Sequence, residues 1–182
     1  MSYAVLRAHT AFSFGDGAVS PQALVARAAE LGYKVIGITD TADLGGAVRA
    51  KIEADRLGIK LIVGAELRVD GKPMAFIARD IKGCRNLASL ITHARVGSLR
   101  SWSPSNRQRK RGLPGVSWSH VAERAEGLHM LTGPASGTLA QLVREGRRDD
   151  AERVIHEWRE AFGGRIAVEV QRHRGCGDES AL

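Results

Sequence analysis

Cysteine is nearly missing from this 182-residue chain: only Cys84 and Cys176 occur, far apart, and neither belongs to a Cys-x-x-Cys pair. That excludes a disulfide framework and a structural zinc knuckle, and both thiols read as reduced and incidental. No apolar run approaches the roughly 20 residues that a membrane helix needs. The opening Met1-Ser2-Tyr3-Ala4-Val5-Leu6 lacks the basic-then-apolar order of a signal peptide, so the cytoplasm is the expected compartment and no membrane partner is expected. Acidic residues are missing from one stretch. Between Arg95 and Gly115 lie six basic residues (Arg95, Arg100, Arg107, Arg109, Lys110, Arg111) and no Asp or Glu, so much of the net charge of +7 sits there.

What is present suits one globular domain. With 43% hydrophobic residues, a chain of this length can bury a real core. Ala4-Val5-Leu6 predicts a first strand. Ser20 before Pro21 reads as an N-cap and a first-turn proline. Leu24, Val25, Ala28 and Leu31 follow at helical spacing, and Gly32 closes the helix. Val35 to Ile38 reads as a buried strand ending at Thr39-Asp40, and Leu44 to Leu57 as a helix closed by Gly58. Leu61 to Glu66 and Met74 to Ala78 read as strands, and Asn86 to Arg95 as a helix. Residues 97–115, rich in Ser, Arg, Gly and Pro, read as a long basic exposed loop. Beyond it the pattern predicts helices at Val116 to Arg124, Thr138 to Glu145 and Asp149 to Phe162, with strands at Leu128 to Leu131 and Ile166 to Val170. Val154, Ile155, Trp158 and Phe162 form the core face of the longest of these helices. Alternating strand and helix imply parallel pairing and an α/β class. Polar residues follow the strand ends at His9, Asp40 and Gln171, the place where such folds build sites.

Several segments carry a family resemblance. Leu6-Arg7-Ala8-His9-Thr10-Ala11-Phe12-Ser13-Phe14-Gly15-Asp16-Gly17-Ala18 resembles the opening motif of PHP (polymerase and histidinol phosphatase) domains, Ile38-Thr39-Asp40 the second, and Gly64-Ala65-Glu66 the third. Ala78-Arg79-Asp80 with Gly83, Arg85, Asn86 and Leu87 resembles the next strand-to-helix step. Glu126-Gly127-Leu128, Leu131-Thr132-Gly133 and Val168 to His173 match later segments. Their order resembles the N-terminal PHP domain of bacterial DNA polymerase III alpha subunits. The resemblance implies a distorted (β/α)7 TIM-like barrel over residues 1–182, incomplete at its C-terminal end because the last family motif is absent. It also implies a trinuclear zinc or manganese cluster at the strand ends.

At the ligand positions this chain departs from the family pattern. Arg7 stands where the first motif has a histidine, Thr41 replaces the histidine of the second, Pro73 stands near a further histidine position, and Pro134 takes the place of a cysteine. His9, Asp16 and Glu66 match surviving ligands. Three ligands suffice for a single zinc or manganese ion, not for the cluster. Arg7 sets a permanent cation where a metal would lie, so an Arg7–Glu66 or Arg7–Asp16 ion pair is expected there and no cofactor. Asp40 reads as a cap for the turn after it. His93, His120, His129 and His156 have no partner at ligand spacing and read as incidental surface residues.

The resemblance and the ligand losses together point to a structural, non-catalytic PHP segment of an error-prone alpha-type polymerase. Its expected partners are the rest of the alpha subunit and template-primer DNA. Magnesium would belong to polymerase aspartates that this chain does not contain. Arg100, Arg107, Arg109, Lys110 and Arg111, with Trp102 and Trp118 close by, suit phosphate contact and base stacking. The alternatives are an active metal-dependent phosphoesterase or 3′–5′ proofreading exonuclease, and a stand-alone binding protein acting through the basic stretch.

Overall fold

The structure, a computed structural model, describes residues 3–100 and 114–171. Its strands are β1 (Val5–Ala8), β2 (Val35–Ile38), β3 (Lys60–Val69), β4 (Lys72–Ala78), β5 (Gly115–Val116), β6 (Leu128–Leu131) and β7 (Ile166–Ala167). Its helices are α1 (Pro21–Glu30), α2 (Ala47–Leu57), α3 (Ile81–Arg100), α4 (Trp118–Ala122), α5 (Thr138–Arg144) and α6 (Arg148–Phe162). All seven strands join one sheet in the order β1-β2-β3-β4-β6-β7, with β5 paired to β3.

The sheet is mixed, not parallel throughout as expected. β1, β2 and β3 run parallel, as do β6 and β7, but β4 is antiparallel to both β3 and β6. The reason is the turn between β3 and β4. Asp70 and Gly71 both have positive φ, 47° and 83°. Two residues in that conformation make a tight hairpin and leave no length for a parallel crossover.

Local chemistry explains most element boundaries. Ser20 Oγ accepts from the Ala23 amide, Pro21 opens α1, and Gly58 closes α2 in the left-handed region. α2 starts at Ala47, three residues later than expected, because Asp43 Oδ1 takes the Gly45 amide in a turn of its own at 2.5 Å. α3 is longer than expected at both ends. Asp80 caps it through the Gly83 amide at 2.7 Å. It also runs through to Arg100, so it takes the first four positions of the span read as a loop, and Gly115 belongs to β5. Residues 101–113 lie outside the described residues. The span read as a helix from Val116 is a strand end followed by the short α4. β7 ends at Ala167 and not at Val170.

Two apolar clusters hold the layers together. The larger packs α3, α4, α5 and α6 on β3, β4 and β6 around Leu67, Phe76, Leu90, Met130, Trp158 and Phe162. The expected face of α6 lies here, with Trp158 and Phe162 buried and Val154 and Ile155 packed at the edge. The smaller clamps α1 and α2 on β2 through Val25, Ala28, Ala50, Ala54, Ile36 and Ile38. α3 can seat closely because Gly83 has no side chain: a Cβ there would lie 2.0 Å from the Gly127 carbonyl.

Gly83→Ala is therefore expected to cost about 2 kcal/mol in urea unfolding. Gly97→Ala in the same helix, with nothing within 4 Å of the added carbon, should instead stabilise by about 0.5 kcal/mol. His129 on β6 has its pKa lowered, first by burial and then by Arg79 and Arg165. The unfolded chain therefore binds a proton more readily than the folded one as pH falls below about 6.5. Stability should fall with pH from there down through the depressed folded value. In His129→Gln the urea midpoint should drop less between pH 7.5 and 5.5.

Candidate functional site

Parallel pairing of β1, β2 and β3 sets their C-terminal ends side by side, and the chain places polar residues at each end. Asp40, just past β2, is buried at 1% exposure. Its carboxylate accepts from the Thr10 amide at 2.6 Å, Thr10 Oγ1 at 2.7 Å and Ser13 Oγ at 2.6 Å. The Ser13 hydroxyl oxygen accepts in turn from the Thr41 amide at 3.0 Å. Asp40 thus secures the loop after β1, not the turn after itself as expected. The Thr39 amide bonded to the Ala8 carbonyl brings those two strand ends together.

Arg7 on β1 lies between two carboxylates from distant parts of the chain. One guanidinium nitrogen pairs with Glu66 of β3, and Nη1 reaches Glu169 Oε1, two residues beyond β7, at 2.5 Å. The three side chains are 12%, 16% and 11% exposed. Glu169 is itself held by its amide donating to Thr132 Oγ1 at 3.0 Å and by Gln171 Nε2 donating to its carboxylate at 2.6 Å. The expected Arg7–Glu66 pair forms. The Arg7–Asp16 alternative does not, because Asp16 pairs with His9 Nδ1 instead and stays 64% exposed. His9 Nε2 points towards Glu66 Oε2 at 3.9 Å without a hydrogen bond.

His9, Asp16 and Glu66 are therefore neighbours, as the motifs imply, with three carboxylates gathered around one imidazole and one guanidinium. The residues do not fit a multinuclear metal centre. Arg7 already holds Glu66, one of the residues that would ligate a metal, together with Glu169, and a guanidinium does not deprotonate to make way. Among the described residues no three His, Cys, Asp or Glu side chains converge as ligands of one ion. The replaced ligand positions serve the backbone. Thr41 bridges to Glu66. Pro73 lies in β4, where its carbonyl would be 2.2 Å from a Cβ on Gly133. The Pro134 carbonyl accepts from the Gly137 amide at 2.7 Å.

Of the basic set, Arg107, Arg109, Lys110 and Arg111 lie outside the described residues. Arg100 ends α3, and its side chain also lies outside them. Cys84 is exposed and unpaired with sulfur. His93 and His120, read as having no partner at ligand spacing, stack with ring centroids 3.8 Å apart. Glu169, Thr10 and Ser13 were not read as site residues. Glu169 was hidden by its flanking valines. In Val168-Glu169-Val170 the valines are exposed and the glutamate turns inward, the reverse of an apolar-in alternation.

The chain belongs to the PHP domain family, whose model matches residues 6–173. The relatives are polymerases. Over 186 residues the chain is 39% identical to an error-prone DNA polymerase of Anaeromyxobacter sp. (strain K), covering 99% of this chain and 15% of that protein. Over 189 residues it is 33% identical to the DNA polymerase III subunit alpha of Pseudomonas aeruginosa, covering 100% of this chain and 15% of the other. The chain thus spans about 15% of the length of these relatives. Among solved structures, an amidohydrolase from Chromobacterium violaceum aligns at a TM-score of 0.45 and 21% identity, over 84% of this chain and 54% of the other. No described helix is long and apolar enough to cross a membrane.

Replacing Asp40 by Ala would leave three inward donors without an acceptor. The expected loss is about 3 kcal/mol, read by urea unfolding. Asp40→Asn, which offers donors where acceptors are needed, should recover only part of it.

Proposed function

We propose that this chain serves as the PHP segment of a DNA polymerase III alpha-type polymerase of the error-prone branch, and that its role there is structural and not hydrolytic. The observation that carries the reading is Arg7, paired at once with Glu66 and Glu169 where the family's chemistry requires open metal ligands. Similarity to error-prone DNA polymerases at 39% and 35% identity supports the branch. In this reading the partners are the remainder of the alpha subunit and its template-primer DNA. The segment itself needs no metal cofactor, nucleotidyl transfer and its magnesium belong to a palm domain elsewhere, and the protein works in the cytoplasm.

The purified chain should hold no stoichiometric zinc or manganese by elemental analysis. It should release no product from a phosphodiester or a DNA 3′ end when either metal is added. Turnover that Glu66→Gln abolishes would establish the phosphoesterase or exonuclease alternative instead. The reading frame that carries this chain should also encode a polymerase palm with its acidic residues, and a frame without one would overturn the polymerase assignment. Arg7→Met would leave two half-buried carboxylates facing each other. It should destabilise the chain by about 3 kcal/mol, measured by urea unfolding at neutral pH.

A further inference from the structure

Away from the strand ends, α3 and α4 meet through a contact that neither the fold nor the rim of Arg7 requires. The His93 and His120 rings lie face to face, centroids 3.8 Å apart and tilted by 33°. His120 Nδ1 is fixed by the Ser117 hydroxyl at 2.7 Å, and that hydroxyl is 2.8 Å from Ser119 Oγ. Two residues past the end of α4, the chain touches α3 again one helical turn before His93, where Arg124 Nε donates to Ser89 Oγ at 3.1 Å. Ser89 is four residues before His93 and Arg124 four after His120, so the two contacts are successive rungs of one interface. α4 has only five residues, and too few hydrogen bonds of its own to stand without such contacts.

The charges around the stack are uneven. On α3, the residues three and four positions from His93 are Ser89, Leu90, Val96 and Gly97, none of them charged. β5, next to α4, contributes only Gly115 and Val116. α6 meets α4 through Trp158 and Phe162 against the Trp118 ring. Arg124 supplies a permanent cation, its Nη1 3.4 Å from the His120 carbonyl, and Glu123 partly balances it at 3.0 Å. Among the described residues no carboxylate pairs with either imidazole. Two neutral rings, or one neutral and one protonated, stack favourably. Two protonated rings would set like charges in contact beside Arg124.

We propose that the His93–His120 stack is a protonation-sensitive fastener between α3 and α4, closed while at least one ring is neutral and opened when both carry a proton. Histidine is the side chain suited to such a change near neutrality, and this contact adds to the buried Val121 and the Arg124–Ser89 bond that also hold α4 against α3.

Two measurements on the full chain test it. In the first, the ring resonances of His93 and His120 are followed by NMR from pH 8 to 5 in the wild type, His93→Gln and His120→Gln. The wild-type pair should take up its protons in two separated steps, and each remaining histidine in the variants should titrate as a single independent site. In the second, amide exchange within α4, corrected for intrinsic rate, is compared at pH 8 and 5. Protection at Val121 and Glu123 should fall at least several-fold at the lower pH in the wild type and stay constant in His93→Gln. His93 is exposed, so that variant is expected to fold, and an unchanged circular dichroism spectrum at pH 8 would verify it. A His120 titration that is the same with and without His93, or equal loss of α4 protection in the wild type and His93→Gln, overturns the proposal.

Discussion

The ion pairs of Arg7 are the interaction on which the mouth of this fold depends. β1 and β7 stand at opposite ends of the strand order, and each has one neighbour among the described strands. The Arg7 guanidinium reaches from β1 to Glu66 on β3 and to Glu169 beyond β7. It therefore ties the first strand to the middle of the sheet and to its last strand. Half-buried charges demand partners because their desolvation is otherwise unrecovered. That demand specifies the arrangement: the two carboxylates need the cation as much as it needs them.

Asp40 imposes a second constraint of the same kind. A carboxylate buried among three donors fixes where the loop after β1 must run, and the glycines nearby fit that course. A Cβ on Gly17 would lie 1.9 Å from the Thr10 carbonyl, and one on Gly37 would lie 2.6 Å from the Leu6 carbonyl. Among the described residues, internal ion pairs and hydrogen bonds thus engage the charged side chains of the rim. A hydrolytic centre needs open coordination positions and room for a water.

Much of the architecture was legible in the chain. Ser20-Pro21, Gly32 and Gly58 marked helix ends because capping and left-handed closure have few substitutes. The strands Val35 to Ile38 and Leu128 to Leu131 were plain as apolar runs. The Asp70-Gly71 hairpin was also written there, as an Asp-Gly pair between two strands, but the alternation of strand and helix around it suggested a parallel sheet. Glu169 and the His93–His120 stack were not legible. Their partners lie 162 and 27 residues away in sequence, and no local pattern signals a contact at such a separation.

By itself the sequence determined the class of the fold and the helix boundaries set by caps, because these follow from residue type and near-neighbour spacing. Only the tertiary structure decided what Arg7 does. A lone cation in a strand is compatible with solvent, with a metal site or with an ion pair. The choice was made when strand order carried Glu66 and Glu169 to within reach of the same guanidinium, since the strength of a charge pair depends on distance in space and burial and not on separation along the chain.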